Sequence, residues 1–115
     1  MNLSRVPTPR PFIDIDRVHN NIRRMADLAK SAGVRLRPHT KTHKSPVIAR
    51  WQMEAGAVGV CCAKLGEAEV FAAAGIEDIR LPYPVHFSNA DRVIALLDHT
   101  RLSFYNNEIE IDDQS

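Results

Sequence analysis

The residues best suited to chemistry lie in one short segment, Arg37-Pro38-His39-Thr40-Lys41-Thr42-His43-Lys44. Arg37, Lys41 and Lys44 are joined by Arg35 just upstream, and His39 and His43 are interleaved with them. A lysine in this company has two uses, as a point charge for an anion or as an amine that condenses with a carbonyl. Crowded cations favour the neutral, nucleophilic form of such an amine. The same residues also suit a solvated basic turn, and their types alone leave both readings open.

The other reactive residue types form no comparable group. His39 and His43 are four apart, a spacing that would place two metal ligands on one helix face. Pro38 and the pair Ser45-Pro46 put them in a loop instead, and no third Cys, His or carboxylate is close in sequence, so no metal site is assigned. Cys61 and Cys62 are adjacent, poorly placed to bridge each other, and sit in an apolar run that reads as packing. The glycines match neither a dinucleotide fingerprint nor a P-loop. Lys64, which also follows a strand pattern, is a secondary candidate. Trp51 and Phe71 fall on helical faces and read as core.

The elements that must position the segment follow a regular alternation. A proline-rich arm, residues 1–11, leads to a short strand at Phe12-Ile13-Asp14-Ile15, and Asp16 reads as the N-cap of a helix. Val18, Ile22, Met25 and Ala29, with Leu28 and Ala32 beside them, give that helix one apolar face, and Gly33 closes it. Val34–Arg37 is the next strand, and Ser45-Pro46 caps and opens a helix that Gly56 ends. Ala57–Cys62 is a nearly continuous apolar strand, and Leu65–Ala74 an alanine-rich helix stopped by Gly75. Asp78–Leu81 is a strand halted by Pro82 and Pro84. Ser88 and Asp91 resemble a capping box before a helix bearing Val93, Ile94, Leu96 and Leu97. Arg101–Tyr105 is the last strand.

These repeating strands open near positions 34, 57, 78 and 101, at intervals of 23, 21 and 23 residues. The period predicts an α/β fold with a parallel sheet and helical crossovers. Arg37–Lys44 then lies at the carboxyl edge of the sheet, where such folds place ligands and where helix N-termini favour phosphate. Four strands make half of a TIM-type (β/α)8 barrel, which needs about 250 residues when closed. A chain cut short fits this pattern better than a small open sheet. The expected organisation is therefore the arm, a partial barrel domain over residues 12–105 and an acidic tail over residues 106–115.

Composition narrows the functional classes. The chain has 115 residues, 44% hydrophobic and 25% charged, with 15 Lys and Arg against 14 Asp and Glu. That balance gives no general attraction to nucleic acid or to an anionic membrane. No run approaches the roughly 20 apolar residues of a membrane helix, and the arm has no apolar signal-peptide region. With no spaced cysteine set either, a reducing cytoplasmic setting is expected.

With these residues laid out, the chain resembles the N-terminal region of the D-threonine aldolase / D-serine dehydratase family, related to alanine racemase through its barrel domain. The matching stretches are Thr8-Pro9, Phe12–Asp16, Asn21-Ile22, Arg37–Pro46, Gln52–Val60, Leu65–Glu69 and Ala74-Gly75-Ile76. The resemblance implies a fold-type III enzyme dependent on pyridoxal 5′-phosphate (PLP). It places the covalent cofactor bond on Lys41, with Lys44 as a neighbour and His39 as a supporting cofactor-binding group. It implies a lyase acting on a small D-3-hydroxy amino acid, as an aldolase or alternatively as a D-serine dehydratase or racemase-like protein. It also implies a divalent metal whose site in the family lies in a C-terminal domain and is absent from this chain. On that reading the chain holds the anchor but is incomplete and inactive by itself, and it forms a homodimer or self-associates through open sheet edges. From the residues alone, a non-catalytic α/β module that binds an anion or a partner through the basic loop stays open.

Overall fold

The computed structural model describes residues 2–104. Tyr105 of the last expected strand and the expected acidic tail, residues 106–115, lie outside the described residues. The first helix, α1, spans Ile15–Ala32. The strand expected at Phe12–Ile15 does not form: residues 12–14 have no ladder partner among the described residues and Ile15 is already helical. The N-cap is accordingly Asp14 and not Asp16, since Asp14 Oδ1 accepts the Arg17 amide at 3.2 Å. Asp16 falls inside the first turn, where a carboxylate still favours the positive end of the helix dipole. Gly33 ends α1 in the left-handed conformation, at φ 67°, which glycine adopts without a steric cost.

The remaining elements alternate as the period requires. They are α2 (Pro46–Glu54), β1 (Val60–Cys61), α3 (Leu65–Ala73), β2 (Asp78–Leu81), α4 (Ala90–Leu97) and β3 (Arg101–Phe104). The three strands form a parallel sheet in the order β1-β2-β3 that is not closed into a barrel. The strand expected at Val34–Arg37 is displaced and reduced to an edge segment. Leu36 and Pro38 carbonyls accept from the amides of Val58 and Cys61 at 2.9 and 2.8 Å, and the Thr40 amide donates to Cys61 O at 2.9 Å. Only His39 and Cys61 make a full parallel bridge. The reason is Pro38, which has no N–H to donate and so interrupts the ladder.

Register decides which side chains meet. Val60, Ile79 and Leu102 are partners on one face, and Val60 and Ile79 are fully buried with Cys62 and Leu81. This face packs with Ala49 of α2, Leu65, Ala68, Phe71 and Ala72 of α3, and Leu96 of α4. Trp51 is half-buried and stacks on His19 of α1, ring centroids 4.4 Å apart. The apolar stripe of α1 is covered less than its pattern predicts: Ala29 is buried, but Met25 is 51% and Leu28 63% exposed. α1 lies against α2, and Ile22 and Met25 line an open cleft with Leu36, Pro38 and Gln52 that leaves the stripe incompletely covered.

The opposite sheet face carries His39, Cys61, Arg80 and Ser103 in one row, with Arg37, Gly59, Asp78 and Arg101 in the next. Arg37 reaches across β1 to Asp78 on β2, its Nη1 donating to Oδ1 at 2.8 Å. The passage is open because residue 59 has no side chain. A Cβ there would lie 2.5 Å from the Asp78 carbonyl and closer still to the Arg37 guanidinium. Gly59→Ala is therefore expected to destabilise the fold by about 1–3 kcal/mol through overpacking and loss of this ion pair. A urea midpoint equal to that of the parent would refute the crossing.

The loop before α4 also departs from the expected capping box. Phe87–Asn89 form a 3-10 turn whose cap is His86, with Nδ1 accepting the Ser88 amide at 3.2 Å. Ser88 is thus inside that turn, and α4 begins two residues later, at Ala90, without a side-chain cap.

Candidate functional site

The Lys41 turn is built from its two ends. At the upstream end, Thr40 is fully buried. Its amide and its Oγ1 both donate to the Cys61 carbonyl, each at 2.9 Å, which pins the edge segment to the end of β1. At the downstream end, the Lys44 amide donates to Thr40 O at 2.8 Å and closes one turn. Ser45 then caps α2, its Oγ accepting the Ile48 amide at 3.3 Å, with Pro46 in the first helical position where no amide partner is needed. Lys41, Thr42 and His43 occupy the turn between these fixed points.

The two imidazoles at the turn have defined hydrogen bonds. His39 Nδ1 accepts the Lys41 amide at 3.2 Å. Its proton therefore resides on Nε2 in the neutral ring. Burial and then the positive charge of Lys41 hold His39 below its ordinary value of 6.5, with Glu67 opposing them. His43 Nδ1 accepts the Ser45 amide at 2.9 Å, so Nε2 carries the proton and donates to Gln52 Oε1 at 3.3 Å. Burial also pushes the His43 imidazole down, and the Gln52 bond acts in the opposite direction. His43 thus acts as a wedge between the turn and α2, while His39 lies beside Lys41.

The segment that looks like a cluster of cations is largely neutralised by acids from other units. Arg37 is paired with Asp78, and Lys44 with Glu67 of α3. Arg35 is exposed, outside the turn. Mutual crowding of positive charge is consequently weaker than the sequence implies. Lys64 lies at the start of α3, where its backbone amide donates to Glu67 Oε2 at 3.1 Å; it is not brought into the Lys41 turn. Cys62 is buried, and burial pushes its thiol up to about 11, which leaves it a packing residue and no nucleophile at neutral pH. Cys61 is also shifted upward by burial, with Arg37 and Arg80 opposing.

The feature not anticipated from sequence is Glu67. Its Oε1 takes Lys44 Nζ, and its Oε2 takes the amides of Ala63 at 2.8 Å and Lys64 at 3.1 Å. The signal was available in part, because Glu67 stands three residues after Lys64 at a helix start, the acceptor half of a capping box.

An amine that anchors a carbonyl cofactor has to be uncommitted. Among the described residues no hydrogen bond or ion pair engages the exposed Lys41 ammonium, whereas Lys44 is held by Glu67. The donor set therefore fits the covalent end of PLP. Among the described residues no group of three or more His, Cys, Asp or Glu is arranged to hold a metal ion. No described helix is long and apolar enough to cross a membrane.

Comparison with known proteins agrees with this geometry. The alanine racemase N-terminal domain matches residues 13–104. The chain is 46% identical over 80 residues to a 3-hydroxy-D-aspartate aldolase of Paracoccus denitrificans, covering 69% of this chain and 21% of that protein. It is 49% identical over 77 residues to a D-threo-3-hydroxyaspartate dehydratase of Delftia sp. strain HT23, covering 67% of this chain and 20% of that protein. The fold is similar to the crystal structure of D-threonine aldolase from Filomicrobium marinum, with a TM-score of 0.82 and 44% identity over 89% of this chain and 28% of the other. The chain thus spans about a fifth of the length of the curated relatives it matches. With the parallel βα order, the domain match and these identities in agreement, the chain belongs to the alanine racemase N-terminal domain family of fold-type III PLP enzymes, close to the D-threonine aldolases and D-hydroxyaspartate dehydratases.

Proposed function

We propose that this chain carries the cofactor lysine of a PLP-dependent lyase acting on D-3-hydroxy amino acids, with Lys41 as the covalent anchor and His39 beside it as a cofactor-binding group. The observation that carries the reading is the contrast between two neighbouring lysines. Lys44 is committed to Glu67, while among the described residues no hydrogen bond or ion pair engages the Lys41 ammonium, at the carboxyl edge of a parallel sheet. When bound, PLP supplies an electron sink for breaking a bond at the substrate Cα. The chain's own residues do the positioning. Thr40 fixes the turn to β1, and His39 holds the Lys41 amide through Nδ1 while keeping its Nε2 proton available as a donor. Burial keeps His39 neutral, and so able to hold the amide, down to lower pH than an exposed imidazole would allow.

Within this reading, aldolase chemistry is the first assignment, supported by the names of two of the three relatives described above. Dehydratase chemistry is the second, supported by the name of a relative that is 49% identical over 77 residues. The chain spans about a fifth of the curated relatives, so the products that a longer polypeptide containing it forms from D-threonine and PLP, with and without a divalent cation, separate the two. Glycine with acetaldehyde supports the aldolase; ammonia with a keto acid supports the dehydratase. Consumption of the L-isomer alone would overturn the D-amino acid reading.

A further inference from the structure

The strongest unassigned feature is the clasp between the turn after the edge segment and the loop after β1. Lys44 has φ 52°, in the left-handed region that disfavours L side chains and suits glycine. A glycine would close this turn more readily, so the backbone supplies no reason for a lysine here. What the lysine adds is Nζ, and that atom reaches Glu67, 23 residues away on α3. The Glu67 side chain is only 12% exposed, against 57% for Lys44, so the acid is the fixed member of the pair. Its second oxygen is occupied by the amides of Ala63 and Lys64, which tie the carboxylate to the end of β1 and the start of α3.

We propose that Glu67 is a positioning residue for the cofactor lysine, bracing the far end of the Lys41 turn through Lys44. The turn is then held at both ends, by Thr40 on β1 and by Glu67 on α3, and Lys41 lies between them. Lys44, with help from the two amides, holds the Glu67 carboxyl below its ordinary value of 4.5, against the opposing effect of burial. The Glu67 member of the brace is therefore a carboxylate at neutral pH. This inference rests on the reading of Lys41 as the PLP anchor for its functional consequence, but the brace can be measured without PLP.

Two variants of the protein test it, Glu67→Gln and Lys44→Gly, each compared with the parent for melting temperature. Lys44→Gly accepts φ 52° without strain and removes the ion pair together with the side chain, so it keeps the fold if Glu67→Gln does not. Glu67→Gln leaves residue 44 unchanged and so shows how much of any faster exchange comes from the lost ion pair and not from glycine's added backbone freedom. Both variants are expected to speed hydrogen exchange at the Lys44 amide about tenfold, the effect of losing one charge-assisted contact. Both are also expected to weaken apparent PLP affinity and slow borohydride trapping at Lys41 by a similar factor. A merely structural role would leave PLP affinity and trapping of the stable Lys44→Gly variant unchanged, and that result overturns the proposal. So does unchanged exchange at the Lys44 amide in either folded variant. If the parent itself traps no PLP at Lys41, the anchor reading fails, and the exchange rates still decide whether the brace exists.

Discussion

Replacing Lys41 with methionine is expected to abolish covalent retention of PLP while leaving the fold unchanged. The side chain is exposed and, among the described residues, makes no hydrogen bond or ion pair, so its removal breaks no folded-state contact of that kind. Methionine keeps most of the aliphatic stem and deletes only the amine. The turn around it keeps its supports, because the Thr40 and Lys44 bonds and the His39 contact use no atom of the Lys41 side chain. Lys64→Met is the matched control. It removes an exposed ammonium from the start of α3, where the local bond to Glu67 is made by the backbone amide. Retention of PLP on gel filtration after borohydride treatment should therefore be lost in Lys41→Met and kept in Lys64→Met. Equal retention in both would remove Lys41 from the site.

The second large effect is on stability. Phe71 is 1% exposed in the last turn of α3 and belongs to the cluster containing Val60, Ile79, Leu81 and Leu96. Truncation to alanine removes the largest buried side chain from the layer between helices and sheet, at a cost of about 3–5 kcal/mol. Domains of this size have total stabilities of only about 5–15 kcal/mol, so the variant should be marginal at room temperature. Urea unfolding followed by circular dichroism measures this directly. A loss below about 1 kcal/mol would mean that α3 does not pack on the sheet as described.

Sequence reading succeeded where the deciding interactions are local. Ser45-Pro46 marks the start of α2 because cap and first-turn proline act within three residues. Gly33 marks the end of α1 because only the local backbone conformation matters there. Asp14 and Asp16 could not be separated in this way, since both are carboxylates and the choice depends on which amide each can reach. Phe12–Ile15 has the alternation of a strand but no neighbour to pair with, and periodicity does not report neighbours. The candidate site divides similarly. The basic loop, its place at the sheet edge and the imidazoles were legible as residue types and order. Its electrostatics were not, because Asp78 lies 41 residues from Arg37, and Glu67 lies 23 from Lys44. Among the described residues, long-range acids convert an apparent cluster of cations into two ion pairs and one uncommitted amine.

The central claim is that Lys41, and not a neighbouring lysine, bonds the cofactor. The most direct measurement is borohydride reduction of the protein mixed with PLP, followed by proteolysis and mass spectrometry of the labelled peptides. A phosphopyridoxyl group on Lys41 is the expected result. A label confined to Lys44 or Lys64 would contradict it.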